Sequence, residues 1–172
     1  MTHFRDRLVF DAERGEYRDG AIRYMMIRPD ALMGMIAEMP ESARGHAMEA
    51  FGRAIRRVGG HSARAYRDAG AADLLATIEA TAPQLGWGRW MLTRVKDGLA
   101  LTVENSPFAA GAGHSPHPVC APIRGMLTAV GEMMLGDVAV TESECAAMGA
   151  PCCRFSVRRA APPSAATAAP SR

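Results

Sequence analysis

This chain has no apolar run approaching the roughly 18 residues that a membrane span requires, so no transmembrane segment is expected. It has no excess of charge: 20 basic residues stand against 18 acidic ones, the net charge is +2, and the arginines are spread rather than gathered into a basic tract. That balance gives no footing for direct nucleic-acid binding. The familiar catalytic signatures are missing too. There is no Gly-x-Gly-x-x-Gly, P-loop, Gly-x-Ser-x-Gly or His-Glu-x-x-His, and nothing resembles a nicotinamide or flavin site. A reductase acting alone needs a hydride source, so a non-enzymatic role is the expectation. The opening MTHFRDRLVF contains no signal-peptide apolar core. Cysteines number only 4, and without a secretion signal they are expected as thiols or metal ligands in the cytoplasm, not as disulfides. Aromatic residues are scarce as well: Trp 2, Tyr 3 and Phe 5 are together outnumbered by 12 methionines. Flexible thioethers fill irregular gaps and suit adaptable binding surfaces.

What is present describes one domain with a core. Hydrophobic residues make up 48% and charged residues 22%, the balance of an ordinary globular chain. Residues 7–27 read as a small β element of short runs bounded by turn residues. Pro29 suits a first helical turn, and 31–39 reads as a short helix with Leu32, Met35, Ile36 and Met39 on one side. Pro40 ends it and Ser42 is placed to cap the next helix, 43–66. There Ala47, Met48, Phe51, Ile55, Val58 and Ser62 recur at helical spacing, while Arg53, Arg56, Arg57, Arg64 and Arg67 project elsewhere. That arginine face is read as solvated, with anion or partner binding as the alternative. Gly59-Gly60 weakens the helix and marks a kink or a close approach.

A third helix is expected over 73–81, ending near Pro83. The period then changes to that of strands, over 88–95 and 99–103, joined at Asp97-Gly98. A Gly/Pro/His-rich loop over 110–118 feeds a further helix from Cys120, with Ile123, Met126, Leu127, Val130, Met133 and Met134 along its apolar side and Gly136 as its stop. Beyond Val157 the chain becomes RRAAPPSAATAAPSR, which cannot offset the entropy of ordering. The expectation is an α+β domain over 1–159, an antiparallel sheet with helices packed on one side, followed by a disordered tail over 160–172.

All the cysteines lie within 119–157. Cys120 opens the helix, while Glu142, Cys145 and Cys153 surround the turn between two strand patterns. Three thiolates and a carboxylate can hold zinc tetrahedrally. If 153–157 is a strand, Cys153, Phe155 and Val157 share the core face, which makes Cys153 the better ligand and Cys152 the spare. Glu142 and Cys145 sit three apart, so a common metal requires the chain to leave strand geometry just after Glu142; Glu144 competes for the carboxylate role. The spacing matches no standard zinc motif, and buried thiols acting as small apolar groups remain the other reading.

Three stretches, VENSPFA at 103–109, PVCAPIRGML at 118–127 and TESECAAMGAPCCRFSV at 141–157, resemble the 4-vinyl reductase domain. This small-molecule-binding module is related to the ligand-sensing domains of bacterial phenol- and xylene-responsive activators. The resemblance implies an α+β fold and zinc ligands at Cys120, Glu142, Cys145 and Cys153. A site closed by four protein ligands leaves no place for substrate, so that zinc is structural. The histidine–tryptophan pair that holds the phenol hydroxyl in the aromatic sensors has no evident counterpart here.

The expected ligand is a small hydrophobic or aromatic molecule held between helices and sheet, with Met48, Phe51, Ile55, Trp90, Met126 and Val130 as lining residues. Trp87 and Trp90 either line that pocket or pack the sheet edge. His46 and His61 are candidates for a ligand hydrogen bond, and His114 and His117 for a metal or haem, against solvated or structural roles for each. Output is expected through a homodimer or a partner. The resemblance also carries a second reading, an accessory or carrier protein for a tetrapyrrole in bacteriochlorophyll biosynthesis, associated with 4-vinyl reduction. A third is an assembly or scaffold protein, since the fold also occurs in vesicle-tethering complexes.

Overall fold

Burial alternates along the last strand, with Cys153, Phe155 and Val157 inward and Arg154 and Arg158 outward, and this period of two positions everything around it. The computed structural model describes residues 3–68 and 73–160. In chain order the elements are α1 (Phe4–Arg7), β1 (Val9–Asp11), β2 (Glu16–Asp19), β3 (Ile22–Tyr24), α2 (Pro29–Ala37), α3 (Glu41–Asp68), α4 (Leu74–Gln84), β4 (Arg89–Val95), β5 (Gly98–Glu104), α5 (Pro107–Ala112), α6 (Ala121–Leu135), β6 (Val138–Glu144) and β7 (Cys153–Arg159). The first three strands form one antiparallel sheet and the last four another, in the order β4-β5-β7-β6. Leu101 pairs with both Leu92 and Phe155, and Val103 with Trp90 and Cys153, so one face of the larger sheet is continuously apolar. Ile123, Leu127 and Val130 of α6 pack into that face and are fully buried. Thr93, Arg154 and Arg158 stand exposed on the other face. The fold is α+β with its helices on one side, as expected. Of the expected tail only Ala160 lies among the described residues, where its N–H donates to Asp137 O at 2.8 Å.

Several local expectations need correction. Helix α3 begins at Glu41, so Ser42 lies inside its first turn and does not cap it. It also runs unbroken through Gly59-Gly60, because the glycines serve packing: a Cβ on Gly59 would sit 2.6 Å from Met126 Cε. Elsewhere along the same pair of helices, a Cβ on Gly125 would lie 2.1 Å from Gly52 O, so α3 and α6 touch backbone to backbone. On α2 the buried residues are Met33 and Ile36, while Met35 is exposed. Asp73 caps α4 by accepting from Leu75 N and Ala76 N, and Pro83 falls inside its last turn instead of ending it. The first part of the expected 110–118 loop belongs to α5, with Ser106 accepting from Ala109 N at 3.4 Å and Pro107 in the first turn. The Ser-Pro pair was the available signal. In the β4–β5 hairpin the two turn residues are Lys96 and Asp97, and Gly98 is already paired, opposite Val95. Its missing side chain is required by the neighbouring strand, since a Cβ there would meet Val157 O at 1.8 Å.

Candidate functional site

Two features stand out: a buried thiol–carboxylate cluster at one end of the larger sheet, and an apolar cavity between α3, α4 and β4. The cluster is assembled from three elements. Cys120 sits at the N-terminus of α6, Cys153 opens β7, and Glu142 lies near the end of β6. Between Glu142 and Glu144 the β6–β7 register shifts, and this irregularity lets Glu142 and Cys145 face one point although they are three residues apart. The ligand atoms of Cys120, Glu142, Cys145 and Cys153 lie within 4.8 Å of one another. Cys120 Sγ and Cys153 Sγ are 3.6 Å apart. Sulfurs in a tetrahedron with metal–sulfur bonds of about 2.3 Å stand roughly 3.8 Å apart, so the spacing fits a single ion. Among the described residues no other group of three or more His, Cys, Asp or Glu converges in this way.

The electrostatics agree. The three thiols are at most 1% exposed, and Glu142 Oε1 is buried with no hydrogen-bond partner. Its other oxygen accepts from Cys120 N at 3.3 Å. Burial, and then the neighbouring Cys145 thiol, push the Glu142 carboxyl up to about 8. Cys153 is drawn down by the thiols of Cys120 and Cys145 and by the Ala146 N–H, which donates to its sulfur at 3.3 Å; Cys120 is correspondingly driven up. An orphaned buried carboxylate oxygen beside three thiols is an arrangement that a divalent cation satisfies. The four residues can therefore hold a metal ion. Ser106 Oγ, 3.2 Å from Cys120 Sγ and 2% exposed, supports the cluster from outside and was not anticipated. Glu144 points away and pairs with Arg154 at 2.9 Å. Cys152 is buried but stands apart from the cluster.

The cavity has a volume of about 80 Å³. Trp90 and Met126 are on its wall, joined by Tyr24, Gly59, Ser62, Ala63, Tyr66, Ile78, Thr81, Ala82, Leu85 and Trp87. The other expected lining residues lie elsewhere. Met48 and Phe51 are half-buried against the core, Ile55 is half-buried on α3, and Val130 is enclosed under the sheet. Trp90 Nε1 donates to Trp87 O at 3.0 Å, and the two ring centroids are 6.4 Å apart. Phe108 extends this aromatic wall edge-on to Trp87 at 5.4 Å. Across the cavity, Tyr66 Oη accepts from Arg7, whose guanidinium also holds Asp19 of β2 at 3.0 Å. Tyr24 comes from β3, which no periodicity in the helices could have signalled. His46, His61, His114 and His117 are not among the residues lining the cavity.

Among known proteins, the family model of the 4-vinyl reductase domain matches residues 99–159. No curated protein matches. Of solved structures, the phenol-responsive sensory domain of the transcription activator PoxR, crystallised with phenol, superposes with a TM-score of 0.77 at 20% identity, covering 90% of this chain and 86% of that one. A trafficking protein particle complex subunit 3 from Naegleria fowleri, covalently bound to palmitic acid, gives 0.52 at 15% identity over 74% of this chain and 87% of that one. A vinyl-4-reductase family protein from Methanocaldococcus jannaschii gives 0.46 at 15% identity over 82% and 100%. The family match contains the whole metal cluster but, of the cavity wall, only Met126. Over residues 99–159 the chain thus carries a 4-vinyl reductase domain, the family to which the motifs at 103–109, 118–127 and 141–157 pointed.

Proposed function

We propose that this chain is a non-enzymatic binding or sensing domain for a small aromatic or hydrophobic molecule, a unit spanning 1–159 and braced by a structural zinc. The observation that carries the reading is the cavity: apolar, walled by Trp87, Trp90 and Met126, and bordered by Tyr24, Ser62, Tyr66 and Thr81, which carry hydroxyls. Such a site seats a ring by stacking and orients one polar substituent. Likeness to the PoxR sensory domain supports the same direction, as that domain was solved with phenol. A volume of about 80 Å³ suits one small ring and not a tetrapyrrole macrocycle, which sets the carrier role in 4-vinyl reduction behind sensing.

Zinc is the metal that three thiolates and a carboxylate select, and with four protein ligands it fixes α6 to β6 and β7 without offering a position for substrate. Cysteines kept as free thiols suit a cytoplasmic setting. Output would run through the Tyr66–Arg7–Asp19 contacts into the N-terminal sheet. That sheet and the residues after it expose Val9, Phe10, Ile22, Met25, Met26 and Ile27, a surface suited to a second copy of the chain or to a partner. The same surface is what favours the scaffold reading.

Native mass spectrometry, before and after gentle denaturation, tests the proposal: one zinc per chain and a co-purified single-ring molecule are the expected result. In solution, phenol or toluene should quench Trp87 and Trp90 emission saturably, and Ala63→Phe, which fills the cavity, should abolish that response. A metal-free chain that responds to neither ring would hand the case to the scaffold reading.

A further inference from the structure

Residues 51–66 of α3 contain Arg53, Arg56, Arg57 and Arg64 and not one carboxylate. Like charges at spacings of three and four repel along a helix, and a merely solvated face ordinarily relieves this with interspersed acids. Here the four arginines instead line one groove of about 460 Å³ between α3 and α6, with Gly60, Ala129, Glu132 and Met133 completing it. Glu132 is the only acid in that lining, and Arg56 already holds it, Nε to Oε2 at 3.1 Å. Arg53, Arg57 and Arg64 have no ion pair among the described residues, whereas at the ends of the same helix Arg67 pairs with Asp68 and Arg44 donates to Met39 O and Ala37 O. Arg64 is also folded back along the helix. Its two Nη atoms lie 3.6 and 3.7 Å from where a Cβ on Gly60 would stand, so the glycine leaves room for a guanidinium to lie over the groove floor.

We infer that this groove is a binding site for a small organic polyanion, one that carries at least two phosphate or carboxylate groups. Guanidinium forks bind both groups bidentately and keep their charge at every relevant pH. The volume falls within the range of small-molecule sites, roughly 300–1,000 Å³, and is more than a lone phosphate fills. The methyl and thioether groups of Ala129 and Met133 provide apolar contact for a carbon skeleton. From Arg53 to Arg64 the row is roughly 16 Å long, enough for a few anionic groups and short for a nucleic-acid backbone or an acidic protein tail. Gly59 borders the aromatic cavity and Gly60 the groove, so the two sites lie back to back across one turn of α3.

Isothermal titration of the full chain at about 0.15 M salt, with pyrophosphate and with citrate as probes, decides the matter, since exposed charges must bind through the screening of that salt. Saturable binding of one probe per chain is expected, weakened by about tenfold or more in Arg57→Gln and in Arg64→Gln, as loss of a charged hydrogen bond predicts. Arg94→Gln, exposed on β4 and outside the groove, should leave it unchanged. Pyrophosphate alone would assign a phosphorylated ligand, and citrate alone a polycarboxylate. The inference falls if neither probe saturates, if the Arg57 and Arg64 variants bind like the parent, or if only poly-glutamate or single-stranded DNA binds.

Discussion

Cys153→Ser is expected to release the metal and destabilise the fold by at least about 3 kcal/mol, because a structural zinc contributes its binding free energy directly to folding. Cys145→Ser should do the same, since both sulfurs are buried within 4.8 Å of the other ligand atoms. Apparent zinc free energies in small folded peptides reach about 10 kcal/mol or more, so even a partial loss rivals the whole stability of a domain. Were the thiols only packing groups, serine at the same place would cost no more than about 1–2 kcal/mol, the range for an ill-placed hydroxyl. Urea denaturation beside metal analysis separates the cases. Cys152→Ser is the control. The sequence makes it the spare and nearly neutral; its burial at 7% exposure raises the expected cost to about 1 kcal/mol, still without metal loss.

Acidity should expose the same site. In the metal-free chain two shifts oppose each other. Glu142, raised from 4.5 to about 8, keeps its proton in the folded state across that window, which makes stability fall as pH rises. Cys153, held below its ordinary 9.0, lacks a proton that the unfolded thiol binds, which makes stability rise over the same span. The contributions offset, and the stripped protein should vary little in stability between pH 5 and about 8. The loaded protein must lose stability on acidification, because protons compete with zinc for thiolates. Thermal melts with and without a chelator should therefore converge at low pH and separate as pH rises.

Gly125→Ala carries the other large effect. Its new Cβ would stand 2.1 Å from Gly52 O and 3.2 Å from Arg56 N, both of them backbone atoms that no rotamer change can move. Helices α3 and α6 must part, opening the seam that holds Ile123 and Leu127 against the sheet. A loss of about 3 kcal/mol or more is expected, the upper end for overpacking a close contact. Gly45→Ala makes the contrast: it lies in the same long helix with nothing within 4 Å, and it should stabilise by about 0.5–1 kcal/mol. Matched denaturation midpoints for the pair distinguish contact from propensity.

Which parts of this protein were legible beforehand follows from the range of the forces involved. Period and punctuation are local, so the strands around Asp97, the α6 stripe of Ile123, Leu127 and Val130, and the inward face of Cys153 could all be read from neighbouring residues. The metal cluster was legible because its residues announce their chemistry, and because the three-residue step from Glu142 to Cys145 demanded a break that the shifted β6–β7 register provides. The aromatic cavity was not. Tyr24, Tyr66 and Ile78 meet there only once β3, α3 and α4 have packed, and apolar side chains carry no mark of which void they will border. Glycines misled for the same reason: Gly59 and Gly98 read as a kink and a turn, whereas each is small because another part of the chain passes against it. Local backbone preference and ligand chemistry were thus written in the sequence alone. Shape, meaning what touches what and where space remains, was decided by the tertiary structure, because close packing couples residues that no sequence window contains.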